Sequence, residues 1–271
     1  MFTITGFSDE LSSDFEIQMQ CWKKMNLTYF ELRSAWAVNV MDLTDNQVDR
    51  VKEISDRYGI KVSCIGSPIN KTYIEDSIDF EMKRLERAFH LAKYFGCNKV
   101  RVFSFYSRNG KILEYRDEVM NRLKKMADFA RDNNIVLLHE NESNIYGEKS
   151  RESAEIAATL KSDYFGLVFD PANYSVAGED ALEAEKIMHP YITYVHVKDY
   201  SGHDHSMSIP GTGISHIREV FDRLRDRDLF ISMEPHLDLA GQFGGNTSPE
   251  KYNDAVSSVK RMLTELEIQF R

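Results

Sequence analysis

A chain of 271 residues with 42% hydrophobic side chains is long enough to bury one sizeable core and falls within the size of a single α/β domain, here residues 1–271. Its formal net charge of −9 repels phosphate backbones, and no basic run offsets it, so a nucleic-acid partner is not expected. Cys21, Cys64 and Cys97 lack CxxC spacing, the N-terminus has no basic leader, and no apolar run approaches the roughly 18 residues that cross a bilayer, which together predict a cytoplasmic protein with no membrane association.

Eight short β-favouring runs follow one another along the chain: Phe2–Ile4, Thr28–Leu32, Lys61–Ile65, Lys99–Phe103, Ile135–His139, Gly166–Phe169, Thr193–Val197 and Leu229–Met233. Their starts lie 26 to 38 residues apart, the length that a strand, a crossover helix and two loops need in a parallel sheet. Helix signals fill the gaps. After the second run, Thr44 can cap a helix carrying Val48, Val51, Ile54 and Tyr58 until Gly59 stops it. Ile78, Met82, Leu85, Phe89, Ala92 and Phe95 form the next stripe, ending at Gly96. Val119, Leu123, Met126 and Ala130 form another, ending at Asn133-Asn134. The unit after the sixth run is the weakest, with a helical stretch only near Asp180–Met188. Ser215 is expected to open a helix with Ile217, Val220, Phe221 and Leu224, and Ser248-Pro249-Glu250 to open the last one. Eight strand–helix units without a linker predict a single (β/α)8 TIM barrel, with an open doubly wound sheet as the alternative.

In such a barrel the functional groups gather where the strands end. Four consecutive runs close on candidate metal ligands: Glu140 after Val136-Leu-Leu-His, Asp170 after Gly166-Leu-Val-Phe, His196 in Tyr194-Val-His-Val, and Glu234 after Ile231-Ser-Met. Three carboxylates and an imidazole aimed at one mouth repel unless a divalent cation or proton compensates them. Oxygen-dominated ligation suits one Mn²⁺ or Mg²⁺, with Co²⁺ or Zn²⁺ as alternatives. Taken singly, each of these residues reads equally well as a solvated strand cap.

At these residues the sequence resembles the xylose-isomerase-like TIM-barrel superfamily, the sugar phosphate isomerase/epimerase group. The likeness rests on Glu140-Asn141, Phe169-Asp170, Val195-His-Val-Lys-Asp199 and Ile231-Ser-Met-Glu-Pro235, and more weakly on Glu31-Leu-Arg33 and Pro210-Gly-Thr-Gly213. It implies that Glu140, Asp170, His196 and Glu234 hold one divalent ion and that Glu140 and Glu234 double as the acid/base pair. A homodimer or homotetramer is suggested by the likeness alone. Many relatives carry histidine where this chain has Asn173, whose amide can bind a hydroxyl or water but cannot relay a proton.

The expected function is isomerisation or epimerisation of a small sugar, sugar-phosphate or keto-polyol by proton transfer beside a carbonyl, through an enediolate whose charge a metal stabilises. The alternative is a dehydratase or lyase on a keto-inositol or keto-glycoside using the same site. More distant are an endonuclease IV-like DNA repair enzyme, opposed by the acidic balance and Asn173, and a non-catalytic sugar-binding barrel. Substrate-binding candidates are Glu31, Asn173, Lys198, His236 and Trp36. Against these roles, Glu31 can pair with Arg33, Lys198 can pair with Asp199, and Trp36 can belong to the core. Glu142 is the alternative ligand in a register shifted by two, and His139 is expected to face the helix layer. His203 and His205 sit in a loop that is either a lid or solvated, and the Gly211-Thr-Gly213 turn is a weak phosphate signal.

Overall fold

The computed structural model describes residues 1–203, 206–239 and 245–271. Eight parallel strands form a nearly closed barrel: β1 (Phe2–Gly6), β2 (Tyr29–Leu32), β3 (Lys61–Ile65), β4 (Lys99–Val102), β5 (Val136–Glu140), β6 (Phe165–Phe169), β7 (Ile192–Val197) and β8 (Leu229–Met233). Their hydrogen-bonded order is β1-β8-β7-β6-β5-β4-β3-β2, so chain neighbours are sheet neighbours throughout, and β1 and β2 meet as the two ends of that order. The amide and carbonyl of Phe2 and the amide of Ile4 bond instead to Gln269, Arg271 and Arg271 respectively, so backbone groups at the start of β1 are satisfied by the C-terminal segment.

The helices lie between the strands as the periodicity predicts. Helix α1 (Phe15–Lys24) is capped by Asp14, and α2 (Asp45–Tyr58) by a reciprocal Thr44–Gln47 box. Helices α2 and α3 (Asp79–Phe95) both end on glycines in the left-handed region, Gly59 at φ 67° and Gly96 at φ 73°, where a side chain would be strained. Helix α4 (Arg116–Asp132) and α5 (Ser150–Thr159) follow. The weak sixth unit resolves into two short helices, α6 (Pro171–Val176) and α7 (Ala181–Met188), capped by Asp170 and Asp180. Ser215 does not cap the next helix. Its hydroxyl accepts the Tyr200 amide, and α8 (Ile217–Arg223) starts after His216, which lies at φ 54°. Before α9 (Pro249–Glu265), Ser248 makes no side-chain cap; its own amide is taken by Asp238.

Alternation along the strands sorts the side chains. Leu138, Val168 and Tyr194 form an apolar plug inside the barrel with Cys64, while Leu137, Val195, Ile231 and Met233 pack outward with the helices. His139 faces the helix layer as expected, buried with Nε2 beside the Ser104 hydroxyl at 2.9 Å. None of the three cysteines is disulfide-bonded. Among the described residues no helix is long and apolar enough to cross a membrane.

The β1–β8 pairing is tight at its C-terminal end. A Cβ on Gly6 would stand 2.7 Å from the Met233 carbonyl oxygen and 2.6 Å from the Tyr252 hydroxyl, which itself donates to that carbonyl. Gly6→Ala should therefore destabilise the fold by about 1–3 kcal/mol. Urea unfolding would register the loss as a lower midpoint, and an unchanged midpoint would show that the pairing gives way freely.

Candidate active site

Residues two apart on a strand point the same way, so Leu138 and Glu140, Val168 and Asp170, Tyr194, His196 and Lys198, and Ser232 and Glu234 share the inward phase. Register completes the alignment: Glu140 pairs with Val168, Val168 with Tyr194, and His196 with Ser232. Four strand ends thus bring Glu140, Asp170, His196 and Glu234 together, all buried, with one potential ligand atom from each inside a span of 4.8 Å.

The imidazole of His196 is the hub. Its Nδ1 lies 2.8 Å from Glu140 Oε1 and 3.3 Å from Glu234 Oε2, and its Nε2 lies 3.3 Å from Glu31 Oε2. Glu31 is aimed there by an irregularity in the β2–β3 register between Phe30 and Glu31, and the Ser232 hydroxyl donates to the same Oε2 at 2.8 Å. A proton on Nε2 shared with Glu31 leaves the Nδ1 lone pair directed at the Glu140–Glu234 side, the orientation an imidazole ligand needs.

Cations surround this acidic floor. Arg33 reaches Asp9 at 2.9 Å and Glu234 Oε1 at 3.0 Å, and Arg101 stands 3.1 Å from Glu140 Oε2 while donating to the Ser67 and Gly66 carbonyls. Both guanidiniums stack on the Phe7 ring, at 4.2 and 5.1 Å from its centroid, and the His196 ring meets Phe7 edge-on at 5.2 Å. Lys198 bridges Asp170 at 2.9 Å and Glu234 at 3.5 Å, so it is a buried member of the cluster and not a surface partner of Asp199.

The charges respond to this crowding. Burial pushes the Asp170 carboxyl up to about 6 in spite of the Lys198 ammonium. Burial disfavours charge on His196 and Lys198, yet the carboxylates of Glu140 and Glu31 around the first, and of Asp170 and Glu234 around the second, outweigh it and raise both. Burial also acts on Glu140 and Glu234, but His196 and Arg101 hold the first down at about 2 and Lys198 holds the second well below the carboxylate range. Oε2 of Glu140, Oδ2 of Asp170 and Oε2 of Glu234 have charged neighbours but no directed hydrogen bond. Buried carboxylate oxygens with no directed hydrogen bond, converging with an imidazole, fit a divalent cation, and this quartet could hold one.

A chamber of about 630 Å³ opens above the floor, lined among others by Arg33, Lys71, Arg101, Glu140, Asn173, Lys198, Glu234 and His236. Glu31 is not on its surface; it lies beneath, against His196. Trp36 is set apart from the chamber, its ring 5.7 Å from Phe15 and 5.8 Å from the Arg50 guanidinium. Glu142 lines the chamber but pairs with Lys71 at 2.9 Å, outside the quartet. The Asn173 amide donates to the Asn141 carbonyl at 2.8 Å, and Asn141 in turn bonds both backbone groups of Asp170 at 3.1 Å, pinning the ends of β5 and β6 together. The Gly211-Thr-Gly213 turn is not poised for phosphate: the amides of Gly211, Gly213 and Ser215 all donate to the Asp199 carboxylate at 2.8–3.0 Å. His203 is an exposed loop residue, and His205 lies outside the described residues.

Two parts of the site carry little one-dimensional signal. Arg101 is flagged only as a charge between Val100 and Val102, and Glu10 not at all. Glu10 accepts the His236 amide at 3.0 Å and the Thr247 hydroxyl at 2.6 Å, and its Oε1 lies 3.4 Å from His236 Nε2. His236 sits at φ 49° with its ring on the chamber wall, neutral because burial lowers it to about 3.

Residues 21–262 match the family described as xylose isomerase-like TIM barrel. An uncharacterized Escherichia coli (strain K12) protein, YihM, is 26% identical over 178 residues, which cover 64% of this chain and 50% of YihM, so the match spans about half of that relative's length. Among solved structures, the probable 3-DHS dehydratase AsbF of Bacillus anthracis superposes with a TM-score of 0.74 at 17% identity, covering 96% of this chain and 98% of that one. A D-tagatose 3-epimerase-like protein gives 0.74 at 17% identity and 98% coverage of both chains. These two likenesses establish the fold.

Burial raises the Glu10 carboxyl to about 8 from an unfolded value near 4.5, so the folded chain holds a proton that the unfolded chain releases. That difference lowers stability as pH rises from about 4.5 to 8. Glu10→Gln keeps an acceptor for His236 and Thr247 and removes the titration. The variant should gain on the parent by about 1–3 kcal/mol at pH 8 and by little at pH 5. Chemical denaturation at the two pH values tests this, and a gap independent of pH would refute it.

Proposed function

The chain belongs to the xylose isomerase-like TIM barrel family, and on that footing we propose that it is a divalent-metal-dependent isomerase or epimerase of a sugar-like hydroxy-carbonyl compound. The observation that carries this is the convergence of two carboxylates, Glu140 and Glu234, on Nδ1 of one buried imidazole at the floor of a chamber of about 630 Å³.

Glu140, Asp170, His196 and Glu234 would hold the ion, which when bound supplies positive charge beside the substrate's carbonyl and neighbouring hydroxyl oxygens. Mn²⁺ or Mg²⁺ suits the oxygen-rich set. The rest falls to the chain's own groups. Glu140 and Glu234 come from strands three apart and are both held ionised, so each can take a proton from a carbon next to the carbonyl. Arg101 and Arg33 fix their orientations, and the Lys198 ammonium can donate to the oxygen on which charge develops. Return of the proton to the neighbouring carbon by the same carboxylate gives aldose–ketose exchange, and return from the opposite side by the other gives epimerisation. Lys198 also favours a second reading: beside Glu234 it can protonate a departing β-hydroxyl, so the C–O bond breaks with loss of water after the α-proton is taken.

Metal-replete protein should wash deuterium from solvent into at least one member of a panel of ketoses, keto-inositols and keto-glycosides. Glu140→Gln and Glu234→Gln should each lower the exchange by about 10²–10⁴-fold. Absence of exchange across the panel, or retained exchange in both variants, removes the acid/base assignment; a product lighter by one water selects the second reading.

Metal analysis gives an independent check. One divalent ion per chain is expected, and His196→Ala or Asp170→Asn should weaken it by about 100-fold or more in calorimetric titration. Tight binding that survives both changes would place the ion elsewhere.

A further inference from the structure

Resting on the sugar-directed reading and narrowing it, we propose that the substrate is a glycoside or oligosaccharide derivative whose second ring lies against Tyr73 and Tyr106, in a subsite continuous with the chamber over Glu140 and Glu234. A second cavity, of about 960 Å³, shares Lys71 and Asn144 with the first, so the two adjoin along that edge. A single hexose fits within the inner chamber and leaves the outer one without purpose, because cavities of a few hundred Å³ already enclose small ligands.

The outer cavity is built and not incidental. The loops after β3 and β4 are zipped by their backbones: Phe103 and Phe105 amides donate to Ile69 and Asn70, Tyr106 to Thr72, and Ile74 to Tyr106, at 2.8–3.1 Å. This pairing sets the Tyr73 and Tyr106 rings 6.4 Å apart at 60° on the cavity wall. Phe105 holds φ 67°, a conformation that a bulky residue adopts only under constraint, and its ring is buried while the next residue, Tyr106, faces the cavity. The Arg108 guanidinium, itself on the wall of this cavity, stacks on Tyr73 at 4.6 Å and pairs with Asp76 at 2.7 and 2.8 Å. Tyr73 is nonetheless 44% exposed, so ring surface is presented to the outside.

The wall chemistry selects the occupant. Aromatic faces take the C–H surfaces of a pyranose ring, and Lys111, Glu148 and Glu152 on the same cavity supply donors and acceptors for its hydroxyls. A purely apolar group would leave those charges poorly solvated, and a compact anion would make no use of the rings.

The test uses polyols that cannot react. Calorimetry would compare sorbitol with maltitol, isomaltitol, lactitol and cellobiitol, in which a second ring is attached to the same open chain. At least one of the four should bind about three- to tenfold tighter than sorbitol. Tyr73→Ala and Tyr106→Ala should erase that margin while leaving sorbitol affinity unchanged, and the Phe variants, which keep the ring, should retain it; unchanged thermal midpoints show that the variants fold. The proposal is overturned if none of the four binds tighter than sorbitol, or if the margin survives both alanine changes. Because binding is read without turnover, a margin without deuterium exchange would sink the catalytic reading alone. Exchange confined to free ketoses, with no margin, would sink the extended subsite alone.

Discussion

Carboxylates that share one buried imidazole set the terms for everything at the C-terminal face of this barrel. Glu31, Glu140 and Glu234 all lie within 3.3 Å of His196, with Asp170 close by, and all four are buried. Unscreened, such a group would be incompatible with a stable fold, because each charge loses hydration and gains like-charged neighbours. The chain answers with three cations delivered from different strands: Arg33 from the end of β2, Arg101 from β4 and Lys198 from the end of β7. Both guanidiniums stack on Phe7, so a single apolar ring supports two cations that reach separate glutamates.

How much of this is legible in the sequence follows from the range of the interactions. The barrel is legible because its determinants are local: apolar runs of three to five residues, caps such as Thr44, and stops such as Gly59 and Gly96. The quartet is legible for the same reason, since residues that end four consecutive strands in the same phase must converge if the sheet closes. Arg101, Phe7 and Glu10 are not, because their roles depend on partners across the barrel, and a lone charge in a strand has no local signature of what it will meet. Asp199 shows a subtler failure. A glycine-rich turn after a strand suggests a ligand's phosphate, whereas the anion that fills it is a side chain of the turn's own flank.

Some residues do two jobs, which also hides them from sequence reading. Asp170 points Oδ2 into the cluster while Oδ1 caps α6 through the Asn173 amide at 3.0 Å. The Asp-Pro pair that ends β6 is thus both a helix start and a contributor to the floor, and the cap fixes the carboxylate's rotation. Glu31 serves a similar purpose at the opposite edge: held by Ser232, its carboxylate meets Nε2 of His196 from below instead of facing the chamber.

These assignments divide the barrel chemically. Strands β5 to β8 end on the quartet, whereas β2 to β4 and the loops beyond them bring Arg33, Lys71 and Arg101 to the same chamber and Tyr73 and Tyr106 to its neighbour. On the proposed reading, a compound whose reacting carbons sit over the quartet would point its far end toward the β3 and β4 loops, where the second cavity adjoins the first. The strand ends are fixed by the register of the sheet and have little freedom to change without breaking it. The zipped loops are tied mainly to each other, so their side chains can vary while the floor stays intact. On the proposed reading, selection among related substrates belongs to the outer wall and proton transfer to the floor, a separation that follows from how each is anchored.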